Sequence, residues 1–370
     1  MAEHILASLE EHTASYGDGK LIFYHAVGPA NGPLLIFVHG WPASPKTWYH
    51  QLALFSQLGF RCVAPDMPGY GRSTVTRDAV ADYAQERIVE ALLALLAHTG
   101  RDRAVWIGHD WGAGCVWSLA AHHPEACVAV ANLVVPYRTV EAGLAQACRG
   151  VNRAVYPADE FPDGQWNYIR YYIESFEQAV RFQDDNAAGF TKLVFGREEI
   201  LQRGQDTSCP PDGRSRPAPT ATCVADGGFL GGAPTVPDAS MIPDEAILLP
   251  ADVLSELTAA LQRNGYFAPA AYYVNDDANK RYAAAVPTHD LPMPVLFVEA
   301  RKDSVCETVT SRLTEAQRRH CANLTEASVD AGHWVHLEKP EVVNAAIARW
   351  LATEAWEEWP GAWRTVTRRR

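Results

Sequence analysis

The stretch Val105-Trp-Ile-Gly-His-Asp-Trp-Gly-Ala-Gly-Cys-Val-Trp117, VWIGHDWGAGCVW, decides the fold. It reads as a short apolar strand, a glycine-framed turn and the start of a helix. Gly108 and Gly112 flank His109-Asp110-Trp111 in the small-x-nucleophile-x-small spacing of a turn sharp enough to push its middle side chain into the open. Asp110 is therefore the candidate nucleophile. The pentapeptide GHDWG is a weak signal by itself, because such a run is often only a polar turn. The rest of the chain supplies the context.

Outward from this turn, apolar strand candidates lie at Leu21–Tyr24, Leu34–Val38, Cys62–Ala64, Ala104–Ile107, Val128–Val135, Val295–Glu299 and Leu324–Val329. Helical patterns fall between them at Asp78–His98, Cys115–His122, Thr308–Arg318 and Pro340–Trp350. Near-continuous apolar strands alternating with helices predict a mostly parallel sheet covered on both faces, with ligands at the carboxyl ends of its strands. The alternation breaks between about residues 137 and 286, where the text turns aromatic and helical, then Gly/Pro-rich, then helical again. That excursion is too long for a connection between neighbouring strands and predicts an inserted, mainly helical cap. The expected division is a core over 1–136 and 287–370, with a cap over 137–286. Within the cap, Gly204–Pro237 has the composition of a long irregular loop, either a surface insertion or a lid on the substrate.

Two further motifs fall where this architecture puts chemistry. The strand LLIFV runs into His39-Gly-Trp-Pro42, so the amides of Trp41 and of Trp111, the residue after the nucleophile, are the candidate oxyanion-hole donors. Downstream, ARKDSV places Asp303 just after a strand, and DAGHWVHLEKP places His333 in the loop after the last one. Nucleophile, acid and histidine then follow the order that an α/β-hydrolase fold requires. His109 and His336 sit beside key turns but out of place for the base, in supporting roles at most.

An aspartate nucleophile changes the reaction class. A carboxylate attacks a strained or activated sp³ carbon and becomes an alkyl ester, which water activated by His333 must then hydrolyse at the carboxyl carbon of Asp110. The oxyanion hole serves that second step, and Asp303 orients the histidine.

Composition excludes several alternatives. The 370 residues are 48% apolar and 21% charged, enough for a large core, and the formal net charge of -12 argues against a nucleic-acid surface. No basic-plus-apolar leader and no membrane-length run is visible, so a cytoplasmic protein without a membrane span, a monomer or homodimer, is expected. Eight cysteines (62, 115, 127, 148, 209, 223, 306 and 321) lack CxxC spacing and read as reduced thiols, with Cys209 and Cys223 the one pair left open as a disulfide. There is no metal-ligand spacing and no dinucleotide loop, hence no metal and no cofactor.

HGWP, DMPGYGRS, GHDWGAGCVW, ARKDSV and GHWVHLEKP together resemble the epoxide hydrolases of the α/β-hydrolase superfamily, close in pattern to the soluble type. The resemblance spans about 34–351, apart from the loop. It implies a small hydrophobic epoxide and water as reactants, and two cap tyrosines that hydrogen-bond the epoxide oxygen. In QWNYIRYYIESF the matching residue is Tyr168, and in NGYFAPAAYYVND it is Tyr273; Tyr171, Tyr172 and Tyr272 are near neighbours. His39, Pro42, Trp166 and Trp334 are the expected substrate contacts. Haloalkane dehalogenase is the rival, similar in fold, nucleophile and histidine, although Trp41 stands where many of those enzymes have a halide-binding Asn. A catalytically silent binding protein on this fold is the third reading.

Overall fold

The structure, a computed structural model, describes residues 2–197 and 217–361. Strands β1 (Glu10–Tyr16), β2 (Lys20–Val27), β3 (Leu34–Val38), β4 (Arg61–Pro65), β5 (Ala104–His109), β6 (Cys127–Leu133), β7 (Leu291–Ala300) and β8 (Cys321–Val329) pair in the order β1-β2-β4-β3-β5-β6-β7-β8. β2 runs antiparallel to β1 and β4, and every other pairing is parallel. All residues of β3 and β5 are buried, which requires cover on both faces. Helices α1 (Tyr49–Gln57), α2 (Gln85–His98) and α3 (Trp111–His122) follow or precede these strands. Between β6 and β7 lie α4 (Asn167–Glu174), α5 (Phe176–Asp185), α6 (Ala187–Val194), α7 (Ala251–Asn264), α8 (Phe267–Ala271) and α9 (Asp276–Ala284), and α10 (Pro340–Glu354) follows β8.

Register brings the motifs together. Val38 of β3 pairs with Gly108 of β5, so the chain leaves both strands side by side, with His39–Trp41 next to Asp110. Ala300 of β7 pairs with Val329 of β8, which delivers Asp303 and His333 from the same edge of the sheet. The helices between β6 and β7 pack over this edge through a second apolar cluster. Phe190, Phe195, Leu249, Leu257 and Tyr266 meet Tyr49, Trp334 and Leu337 there. The Phe195 ring stacks on Trp334 at 4.2 Å, and burying a ring of this size contributes about 2–3 kcal/mol.

The seven expected strands coincide with β2–β8, and β1 is an addition. Its sequence, EEHTASY, carries no apolar run because it is an edge strand with most side chains in or near solvent. The helix expected over Thr308–Arg318 is corrected to Glu315–His320. Hydroxyl groups divert the preceding stretch: Thr308 Oγ1 donates to Glu299, Ser311 Oγ donates to the Glu307 carbonyl, and Glu307 accepts from the Thr310 amide. Such side-chain bonds compete with helical ones. In the Gly204–Pro237 loop, residues 204–216 and with them Cys209 lie outside the described residues. Cys223 is a buried free thiol, and Pro219–Thr222, Cys223–Asp226 and Phe229–Gly232 form short helical turns.

Candidate active site

Asp110 caps the N-terminus of α3 with φ 54 and ψ −128, a conformation that a non-glycine residue rarely adopts and that turns its side chain away from the helix. The turn closes because its neighbours are glycines: a Cβ on Gly112 would stand 2.1 Å from the Val38 carbonyl oxygen, and one on Gly40 would stand 2.4 Å from Asp110 Oδ1. The nearness of Gly40 lets the next amide reach the carboxylate. Trp41 N–H donates to Asp110 Oδ1 at 2.7 Å, and the Trp111 amide bonds the same carboxyl group. Burial raises the Asp110 pKa, opposed by His333 and by these two amides, which favour the ionised form.

His333 Nε2 lies 3.6 Å from Asp110 Oδ2, and its Nδ1 is 2.8 Å from Asp303 Oδ2. Asp303 spends its other oxygen on the amides of Val305 and Cys306, at 2.9 and 3.0 Å. Burial pushes the Asp303 pKa up, but the His333 charge and these hydrogen bonds outweigh it, and the net shift is downward. On His333, burial acts to lower the pKa, and the charges of Asp303, Asp110 and Glu338 with the Asp303 hydrogen bond overcome it, leaving a value of about 9. The imidazole is therefore protonated at neutral pH, and its charge, with the two amides, favours the ionised form of Asp110 against burial.

Tyr168 and Tyr273 share a cavity of about 400 Å³ with Asp110, His333, Trp41 and Trp334. Burial, and also the Asp110 charge, raise both phenol pKa values well above 10, so both groups keep their protons. The two rings meet edge-on at 5.6 Å, and Tyr273 packs against the Trp111 ring at 5.1 Å. Neither hydroxyl has a hydrogen-bond partner among the described residues. Of the neighbouring phenols, Tyr272 donates to the Pro68 carbonyl at 2.8 Å and Tyr266 bonds Thr191 at 2.9 Å, whereas Tyr172, which also lines the cavity, accepts from Gln183 and keeps its own O–H proton.

Of the expected substrate contacts, Trp334 lines the cavity, fixed by its indole N–H to the Val194 carbonyl at 2.8 Å. The other three are corrected, since none lines the cavity. His39 is 2% exposed and spans two backbone groups, Nδ1 on the Gly40 carbonyl at 2.9 Å and Nε2 accepting from Met67 N–H at 3.1 Å. Burial holds its pKa near 4, and the neutral ring clamps the turn that carries the Trp41 amide. Pro42 is buried in that turn, and Trp166 is 1% exposed beneath the start of α4, its ring 6.5 Å from that of Tyr168. His109, its pKa brought to about 3 mainly by burial, donates Nε2–H to the His333 carbonyl at 2.8 Å.

Several cavity residues carried no single-residue signal in the sequence. Phe190 and Val194 sit four apart on α6, a spacing that marks one face of a helix, and Cys223, Phe229 and Leu230 come from the loop. Among the described residues, no cluster of His, Cys, Asp and Glu could hold a metal ion, and no helix is long and apolar enough to cross a membrane.

Residues 33–340 match the family described as the alpha/beta hydrolase fold. The chain is similar to bifunctional epoxide hydrolase 2 of Rattus norvegicus, 28% identical over 338 residues covering 89% of this chain and 53% of that protein. It thus spans about half the length of that relative. Epoxide hydrolase B of Mycobacterium tuberculosis is 29% identical over 348 residues, 88% of this chain and 94% of that protein. Among solved structures, epoxide hydrolase A of Mycobacterium thermoresistibile is similar with a TM-score of 0.72 at 27% identity, covering 93% of this chain and 98% of that one.

Proposed function

The chain belongs to the α/β-hydrolase fold family, and on that premise we propose that it hydrolyses an epoxide to a vicinal diol through an ester on Asp110. The observation that carries this reading is the pair of buried, protonated phenols, Tyr168 and Tyr273, without partners among the described residues in the cavity that holds the Asp110 carboxylate. An opening oxirane needs a nucleophile at carbon and donors at oxygen, and these groups supply both. The relatives named epoxide hydrolase add to that support.

Asp110 Oδ2 attacks a ring carbon, the C–O bond breaks, and the phenols hydrogen-bond the oxygen as its charge develops. The proton that this oxygen needs is made good by His333, which enters the cycle as an imidazolium. Alkylation removes the Asp110 charge, one of the influences that raise the His333 pKa, so the imidazole is left as a free base. It then takes a proton from water, whose oxygen adds to the Asp110 carboxyl carbon. Oδ1, already on the Trp41 amide, receives the negative charge of the tetrahedral intermediate. Collapse breaks the bond between the carboxyl carbon and Oδ2, and His333 returns its proton to the departing alkoxide; the carboxylic acid left on Asp110, now carrying the oxygen of the water, then passes its proton to His333, which restores the carboxylate and the imidazolium. Residues 137–286 would act as a cap that keeps bulk water from this sequence, over a core formed by 1–136 and 287–370.

One observation favours a second reading. The Trp41 indole N–H is buried without a partner among the described residues, and Trp41 lines the same cavity; an indole N–H is a donor suited to a leaving halide in haloalkane dehalogenation. A panel of alkyl and aryl epoxides and haloalkanes decides between them: diol formation, unchanged by EDTA, is expected. Halide release without turnover of any epoxide would reverse the assignment.

A further inference from the structure

The tip Gly227-Gly-Phe-Leu-Gly-Gly232 frames two apolar side chains with two pairs of glycines. Gly227, Gly231 and Gly232 have φ of 71, 69 and 72. No heavy atom lies within 4 Å of where a Cβ on Gly227 or Gly231 would stand, so these two serve backbone conformation rather than close packing. Leu230 shares the left-handed conformation, at φ 55 and ψ 41, which is unfavourable for a bulky side chain. It is also 43% exposed. A leucine in a strained conformation, with 43% of its surface open, leaves much of its apolar area uncovered by the chain. Leu230 nevertheless lines the cavity that holds Asp110, Tyr168 and Tyr273.

The rest of the tip is fastened. Gly228 N–H donates to the Cys223 carbonyl at 2.9 Å, Gln178 Nε2 donates to the Gly227 carbonyl at 3.1 Å, and Val224 N–H donates to Asn167 Oδ1 at 2.9 Å. Phe229 is held against Tyr171 and Tyr172, with centroids at 5.1 and 5.2 Å. Leu230 is thus presented at the cavity by an anchored support, with apolar surface left for a ligand to cover.

We propose that Leu230 is a specificity-determining residue, which binds the apolar substituent of the epoxide and sets the preference for long substituents over short ones. This rests on the hydrolase reading above and deepens it. Residue 230 would then act on KM through binding, and leave the attack at Asp110 to the residues around it.

The test compares 1,2-epoxydecane with 1,2-epoxybutane in the full chain and in Leu230→Ala and Leu230→Met. Leu230→Ala is expected to lower the long-over-short ratio of kcat/KM about 10-fold, the change lying in KM, and Leu230→Met to restore most of it. Binding of decane-1,2-diol and butane-1,2-diol, followed by tryptophan fluorescence, should show the same loss of preference without any chemistry. An unchanged ratio in Leu230→Ala, or an equal loss for both chain lengths, overturns the proposal. If the wild-type protein hydrates neither these two nor any epoxide of the wider alkyl and aryl panel, the hydrolase reading fails, and the diol ratios still decide the role of Leu230.

Discussion

Replacing Asp303 with Asn tests how the histidine is controlled. Asp303 accepts two amides, from Val305 and Cys306, on one oxygen and His333 Nδ1 on the other. An asparagine keeps its single oxygen on the two amides, because turning it would leave both N–H groups facing an NH2, at about 1–3 kcal/mol each. The amide nitrogen is then left facing Nδ1, which must become an acceptor, and the proton moves to Nε2, the atom that has to take one from water. Loss of the carboxylate charge also brings the His333 pKa down from about 9, since burial already acts in that direction. Both effects remove the base, and hydrolysis of the ester is expected to fall about 10³–10⁴-fold, or roughly 4–5.5 kcal/mol. Stopped-flow fluorescence under single-turnover conditions separates this step from alkylation. An Asp303→Asn enzyme within about 10-fold of wild type, or one whose defect lies wholly in KM, would refute the reasoning.

Tyr168→Phe and Tyr273→Phe should each slow alkylation by about 10-fold or more, and the double variant further, with the rate of ester hydrolysis the control; wild-type alkylation in both single variants would move the donors to other residues. The His333 pKa is raised in the folded protein, so its contribution to stability is fully present below the unfolded value near 6.5 and is lost as pH rises through about 9. Urea midpoints measured from pH 6 to 9.5 should decline over that window in the wild type and stay flatter in His333→Gln; parallel curves would contradict the assignment.

The sheet was legible because its strands are apolar and fully covered, as in LLIFV and AVWIGH, and the order of Asp110, Asp303 and His333 along the chain follows from the register that such a sheet imposes. β1 escaped notice for the opposite reason, since an edge strand in contact with water can be written in Glu, His and Ser. The donors Trp41 and Trp111 could be anticipated because backbone position, not side-chain chemistry, gives them their place. His39 is expected to touch substrate, yet its two ring nitrogens are consumed by backbone groups that only the folded chain brings within reach. In the same way, Tyr272 is set apart from its neighbour Tyr273 by a partner, the Pro68 carbonyl, that lies on another segment. Leu230 carries no signal in isolation; only the glycines on either side mark it.

The central claim is that Asp110 forms a covalent ester that His333 is needed to discharge. His333→Gln keeps the nucleophile and both phenols, leaves solvent to supply the proton of the opened oxygen, and removes the base, so after exposure to an epoxide its intact mass should rise by the mass of one substrate molecule, with the added group mapped by peptide analysis to Asp110. Asp110→Asn should show no prompt adduct. Sustained turnover by His333→Gln, or an adduct carried by any other residue, would contradict the account.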